Sequence, residues 1–160
     1  MFSLRKANAT NQDSLLSSQL FDQGSFYKAF IRDLSKAKRE VIIESPFISS
    51  RRIALLLPEF STLINCGVKV IVNTKPIEEH APDYSFQAIQ GIADLQQIGV
   101  NVLYTGGHHR RLAVIDKRVS WEGSLNILSQ NDSCEIMRRM CSEQLANQLI
   151  AFLKLEKYLT

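Results

Sequence analysis

Three short runs rich in β-branched and aliphatic residues, at 40–44 (EVIIE), 68–73 (VKVIVN) and 101–104, are each preceded by a stretch of helical spacing. From 25 to 39, Phe26, Ala29, Phe30, Ile31, Leu34 and Ala37 recur three and four apart, while Lys28, Arg32, Asp33, Lys36 and Lys38 take the other face. That is an amphipathic helix. A second helix is expected over 51–66, with Pro58 forcing it to bend or start late and Gly67 capping it. A third spans 83–98, on the spacing of Phe86, Ile89, Ile92, Leu95 and Ile98, and closes on Gly99. Helix and strand therefore alternate three times, with connections short enough for parallel crossover units, so the fold class is α/β.

After Gly106-Gly107 the pattern changes. Residues 109–116 and 119–122 read as adjacent strands around a Lys117-Arg118 turn, which makes the sheet mixed. A further strand is expected over 134–140. A closing helix follows over 142–159, with Ser142 as N-cap and Leu145, Leu149, Ile150, Leu153 and Leu159 turned inward. At 160 residues and without internal repeats, one domain is expected. It is drawn over 24–160, behind a polar, unpatterned arm at 1–23 that is read as flexible or loosely docked. A hydrophobic content of 45% excludes a disordered chain. No apolar run approaches the ~18 residues of a membrane span, and the first residues lack the apolar core of a secretory signal, so a cytoplasmic protein without stable membrane association is expected. Cys66, Cys134 and Cys141 are odd in number and show no CxxC spacing; they are expected to be reduced and mostly packed, with neither a disulfide framework nor a metal site.

One stretch stands apart from this scaffold: His109-Arg110-Arg111-Leu112-Ala113-Val114-Ile115-Asp116, then Gly123-Ser124-Leu125-Asn126, then Glu135. Strand alternation puts His109 and Arg111 on one face, roughly 7 Å apart, where both address one anion. Imidazole attacks phosphorus or shuttles protons near neutral pH, and guanidinium binds phosphate oxygens through paired hydrogen bonds. Gly123 permits close backbone approach, and Ser124 and Asn126 offer a hydroxyl and an amide to the same oxygens. Glu135 is placed to orient an imidazole, and Asp116, of opposite parity to His109, takes a structural turn or salt-bridge role. Net charge is only +3, but Arg110, Arg111, Lys117 and Arg118 stand against the single Asp116 between 109 and 118, with Arg138 and Arg139 downstream. The excess suits a phosphate-bearing partner. His108 reads as an exposed turn residue, and His80 as a solvated loop residue or part of a groove.

This spacing resembles the phospholipase D superfamily signature, HxKxxxxD followed by GSxN, with His109, Arg111, Asp116, Gly123, Ser124 and Asn126 in register and Glu135 matching the downstream acid. The likeness extends more loosely through QGSFYKAF and VIIESPFIS and covers about 24–158. It implies a three-layer α/β/α sandwich with a mixed, mainly parallel sheet. It also implies a phosphodiesterase without metal or other cofactor, in which one histidine forms a phosphohistidine and a second protonates the leaving oxygen. The family lysine is Arg111 here, which keeps the charge but cannot give up a proton. Since the chain holds one copy of the motif and the mechanism needs two histidines, the resemblance implies a homodimer that shares one site, with nucleic acid as the expected substrate. A non-catalytic nucleic-acid-binding module and a lipid-active phosphatidyltransferase are the alternatives.

Overall fold

The computed structural model describes residues 15–129 and 131–159. Of the N-terminal arm, residues 1–14 lie outside the described residues, and Gln19–Phe21 form strand β1 at one edge of the sheet. The sheet thus begins ahead of Gly24. Helix α1 (Phe26–Leu34) follows a turn in which the Asp22 carboxylate accepts the N–H groups of Gly24 and Ser25 and the Ser25 hydroxyl. The Ser25 hydroxyl, chiefly, holds the Asp22 carboxyl below its usual range. The helix stops at Leu34, short of 39, because Lys36 and Ala37 donate to the carbonyls three residues back and tighten the chain into turns.

Strand β2 (Glu40–Glu44) is buried along its whole length. Helix α2 (Ser50–Asn65) starts on the Ser49 hydroxyl, which accepts the Arg52 N–H, and runs through Pro58 without a late start. Pro58 lies on the exposed face with Ala54, so the carbonyl that it leaves without an N–H faces water. Strand β3 (Lys69–Thr74), helix α3 (Pro82–Gln97) and strand β4 (Asn101–Tyr104) complete the crossover half. Gly67 and Gly99 follow the two helices at φ 84° and 101°, where a side chain would be strained.

The second half is built of hairpins. Strands β5 (Leu112–Ile115) and β6 (Val119–Gly123) are joined by Asp116, Lys117 and Arg118; Asp116 and Lys117 are both at positive φ (53° and 52°) in a tight turn closed by the Arg118 N–H on the Ile115 carbonyl. Strand β7 (Met137–Cys141) adds to β6, and the order across the seven strands is β1-β7-β6-β5-β2-β3-β4. The sheet is mixed, as expected, but not mainly parallel: only β2–β3 and β3–β4 are parallel pairs. The other four pairings are antiparallel, because the connections after β4 do not include a crossover helix.

Helices α1, α2 and α3 cover one face, packing Phe26, Phe30, Leu56, Phe60 and Leu95 on Val41, Ile43, Val72 and Trp121. Helix α4 (Glu143–Leu153), capped by Ser142, covers part of the other with Ala146, Ile150 and Leu153 on Ile42, Leu112 and Val114. This is the three-layer arrangement. The helix ends on Lys154 at φ 56° rather than running to 159. Cys66, Cys134 and Cys141 are free and exposed rather than packed: Cys66 caps the end of α2, Cys134 lies in the loop ahead of β7, and Cys141 is the last residue of β7. Among the described residues no helix is long and apolar enough to cross a membrane.

Candidate active site

Because β5 begins at Leu112, residues His109, Arg110 and Arg111 lie in the segment ahead of it and not in a strand. The expected alternation is therefore not what aims them. The pairing of β5 with β6 extends one step further, through the Gly123 N–H to the Arg111 carbonyl (3.3 Å). Beyond that point the chain is anchored by His108. Far from being an exposed turn residue, His108 is buried, because the chain carries its ring onto the fully buried Glu44 at the end of β2. Its Nε2 lies 2.6 Å from Glu44 Oε2 and 3.2 Å from the Asn73 carbonyl oxygen, and its Nδ1 accepts the Arg110 N–H at 3.0 Å. An accepting Nδ1 makes the ring neutral, with its hydrogen on Nε2 donated to the carboxylate. Asn73 Nδ2 donates to both Glu44 oxygens (3.1 and 3.2 Å), Arg110 Nε approaches at 3.3 Å, and Thr105 donates to Asn73 Oδ1 at 3.0 Å. The cluster is thus fully paired, as burial demands. The ring of His80 is likewise buried, edge-on to Phe47 with Nε2 3.3 Å from the Lys75 carbonyl oxygen, and not solvated.

With His108 held inward, its neighbour His109 is exposed and has no hydrogen-bond partner among the described residues. It lines a groove of about 510 Å³ together with Arg111, Gly123 and Ile136. The loop after β6 is pinned by Leu125, Ile127 and Leu128, all fully buried, which leaves Asn126 between them only partly covered. Backbone bonds fix it further: the Leu128 N–H donates to Ser45 Oγ, its carbonyl accepts the Ser49 N–H, and the Tyr27 hydroxyl donates to the Ile127 carbonyl. Asn126 Oδ1 accepts Arg111 Nε at 2.9 Å. That bond leaves the terminal Arg111 nitrogens and Asn126 Nδ2 as donors, with Arg111 in the groove that His109 lines, a set that suits the oxygens of one phosphoryl group.

The remaining motif residues are occupied elsewhere. A Cβ at Gly123 would stand 2.0 Å from the Ile136 carbonyl oxygen, so the close backbone approach here is that of the chain entering β7. Ser124 donates its hydroxyl to Glu135 and accepts the Ile136 N–H at 3.1 Å, which takes up the hydrogen that was expected to serve phosphate. Glu135, ahead of β7 rather than within a strand, donates its N–H to Gln23, and among the described residues its carboxylate accepts from the hydroxyls of Ser124 and Ser133 and not from an imidazole. Asp116 sits at the far end of β5 and accepts the N–H groups of Lys38 (2.9 Å), Arg39 (2.8 Å) and Glu40 (3.1 Å), stapling the hairpin tip to the start of β2. The structure thus gathers His109, Arg111 and Gly123 around one groove, with Asn126 bound to Arg111, and pairs Ser124 with Glu135. Reading the sequence alone missed Glu44, Asn73 and His108. Their one visible signal is Glu44, a carboxylate at the end of the EVIIE run that reads as a buried strand. Among the described residues no group of three His, Cys, Asp or Glu side chains is placed to hold a metal ion.

Residues 30–155 match the family model described as the PLD-like domain of cardiolipin synthase. No curated protein matches the sequence. Among solved structures the chain is similar to Nuc from Salmonella typhimurium, a phospholipase D family member, with a TM-score of 0.72 and 13% identity over 89% of this chain and 95% of that one. It is similar to NucT from Helicobacter pylori, with a TM-score of 0.68 and 18% identity over 89% and 96%. Polyphosphate kinase from Porphyromonas gingivalis shares the fold over 26% of its own length, with a TM-score of 0.67, 10% identity and 89% of this chain covered. At these identities the likeness is one of fold.

Proposed function

Since the chain belongs to the PLD-like domain family, we propose that it is a phosphodiesterase acting on nucleic acid through a phosphohistidine, at a site completed by a second copy of the chain. The observation that carries this reading is an exposed, unbonded His109 beside the joined donors of Arg111 and Asn126. The imidazole of His109 attacks phosphorus, forming a P–N bond as the P–O bond to the leaving group breaks. Arg111 and Asn126 stabilise the charge that grows on the non-bridging oxygens. The leaving oxygen takes its proton from the His109 imidazolium of the second subunit. Water then attacks the phosphohistidine, loses its proton to that same imidazole, and releases the first. No step needs a metal ion. Each Glu135 oxygen accepts one hydroxyl and keeps a second lone pair, through which it would orient an incoming imidazole.

Hydrolysis of bis(p-nitrophenyl) phosphate in excess chelator tests this. The wild type is expected to turn over, and His109→Ala to be inactive while still folded. A wild type that binds DNA or RNA without cleaving either would favour the binding-module reading, and one inhibited by phospholipid vesicles but not by nucleic acid would favour lipid chemistry.

A further inference from the structure

The adjacent Arg138 and Arg139 look equivalent in the sequence, but strand β7 sends them to opposite faces of the sheet. Arg139 turns toward α1, where Nε and Nη2 reach the two Asp33 oxygens at 2.6 and 2.9 Å. Those hydrogen bonds, donated to the Asp33 carboxylate, hold the Arg139 charge more firmly than usual. Arg138 lies on the other face, in register with Glu122 on β6 and Leu20 on β1, and lines the same groove as His109 and Arg111. Helix α4 does not reach this row: Leu20 is 56% exposed, and Ile136 beside it 53%. Arg138 donates to the Ser18 hydroxyl and, among the described residues, meets no carboxylate within ion-pair distance. Arg110, by contrast, is spent on Glu44. Among the described residues, Arg111 and Arg138 are therefore the two guanidinium groups lining the groove that meet no carboxylate within ion-pair distance, and Glu122, opposite Arg138 across the β6–β7 pair, is the one carboxylate that lines it.

We propose that Arg138 is a second phosphate subsite, binding a phosphate next along the chain from the one at His109 and Arg111, so that the groove over β6, β7 and β1 holds a single-stranded nucleic acid. This rests on the phosphodiesterase reading above. Strand β5, which continues from Arg111, and β7 are two strand spacings apart, about 10 Å, and Arg138 extends the other way, to Ser18 ahead of β1, so that its guanidinium stands on the side of β7 away from His109 and Arg111. A polymer of phosphodiesters supplies the second anion by its own repeat. Leu20 and Ile136 give the intervening bases an apolar floor, while the phosphates take the arginines.

The test compares wild type with Arg138→Ala and Arg138→Lys on a single-stranded oligonucleotide and on bis(p-nitrophenyl) phosphate, which carries one phosphate only. The loss of kcat/KM in Arg138→Ala is expected to be about tenfold larger on the oligonucleotide than on the small diester, with Arg138→Lys restoring most of it. Oligonucleotide affinity, measured in the His109→Ala background so that nothing is cut, is expected to lose about 0.7 from its log–log salt slope when Arg138 is removed. Equal losses on both substrates, or an unchanged salt slope, would overturn the subsite. So would a loss of affinity for anionic phospholipid vesicles without one for the oligonucleotide. A wild type that leaves the small diester intact would instead overturn the phosphodiesterase reading, and the salt slope would still decide the subsite.

Discussion

Replacing His108 by alanine is expected to damage the fold, whereas replacing its neighbour His109 is expected to spare the fold and abolish activity. His108 and Glu44 both have fully buried side chains, joined at 2.6 Å. Taking a donor away from a buried carboxylate costs more than the ~1–3 kcal/mol of a neutral buried group and approaches the ~3–5 kcal/mol of a broken buried ion pair. Glu44 keeps Asn73 and Arg110, so the lower end, about 3 kcal/mol, applies to the carboxylate. The Arg110 N–H loses its acceptor as well, which adds about 1 kcal/mol or more. Against a total stability of about 5–15 kcal/mol, and at about 2–4 °C per kcal/mol for a chain of this size, the melting temperature of His108→Ala should fall by about 8–16 °C. His109→Ala removes an exposed ring without partners and should stay within about 0.5 kcal/mol of wild type. The assay is thermal unfolding at constant pH on both variants and on Glu44→Met/His108→Leu, which removes both polar partners together and should recover part of the loss. If His108→Ala unfolds at the wild-type midpoint, or His109→Ala is equally destabilised, the assignment of one histidine to the scaffold and the other to the groove is wrong.

Three further outcomes follow from the same geometry. Arg111→Ala should lower kcat by ~10²-fold or more, and Arg111→Lys should retain or raise turnover, as steady-state kinetics on the small diester would register. Gly123→Ala should cost about 4 kcal/mol or more, because its Cβ would meet the Ile136 carbonyl oxygen at 2.0 Å and neither backbone can yield without parting β6 from β7; thermal unfolding reports it. Asp116→Ala leaves the N–H groups of Lys38, Arg39 and Glu40 without their acceptor and should cost about 3 kcal/mol, whereas Asp116→Asn keeps an acceptor oxygen and tolerates the positive φ, so its loss in chemical denaturation should be about half as large.

The first half of the fold was legible because periodicity, caps and breakers agree there: 40–44 and 101–104 were placed to the residue, and Gly67 and Gly99 both punctuate helix ends. Sheet polarity was less so. The sequence of 109–123 shows a hairpin, but not that β5 would join β2 antiparallel, which is decided by long-range pairing. Within the site, the spacing of His109, Arg111 and Asn126 was readable as chemistry, since each side chain is visible in the motif. The burial of His108 was not, because its cause is Glu44, 64 residues upstream, and no local pattern links them. The bond between Ser124 and Glu135 was not legible for a similar reason: the spacing of the two residues does not show that they meet.

Two His109 rings, one from each of two chains, are expected to make one site. Wild-type and His109→Ala subunits would be mixed in varying proportions, allowed to exchange fully, and assayed on the small diester in chelator. A heterodimer then lacks either the nucleophile or the acid, so activity should fall as the square of the wild-type fraction. A linear decline, or full activity in a chain that sediments as a monomer at the assay concentration, would contradict the shared site.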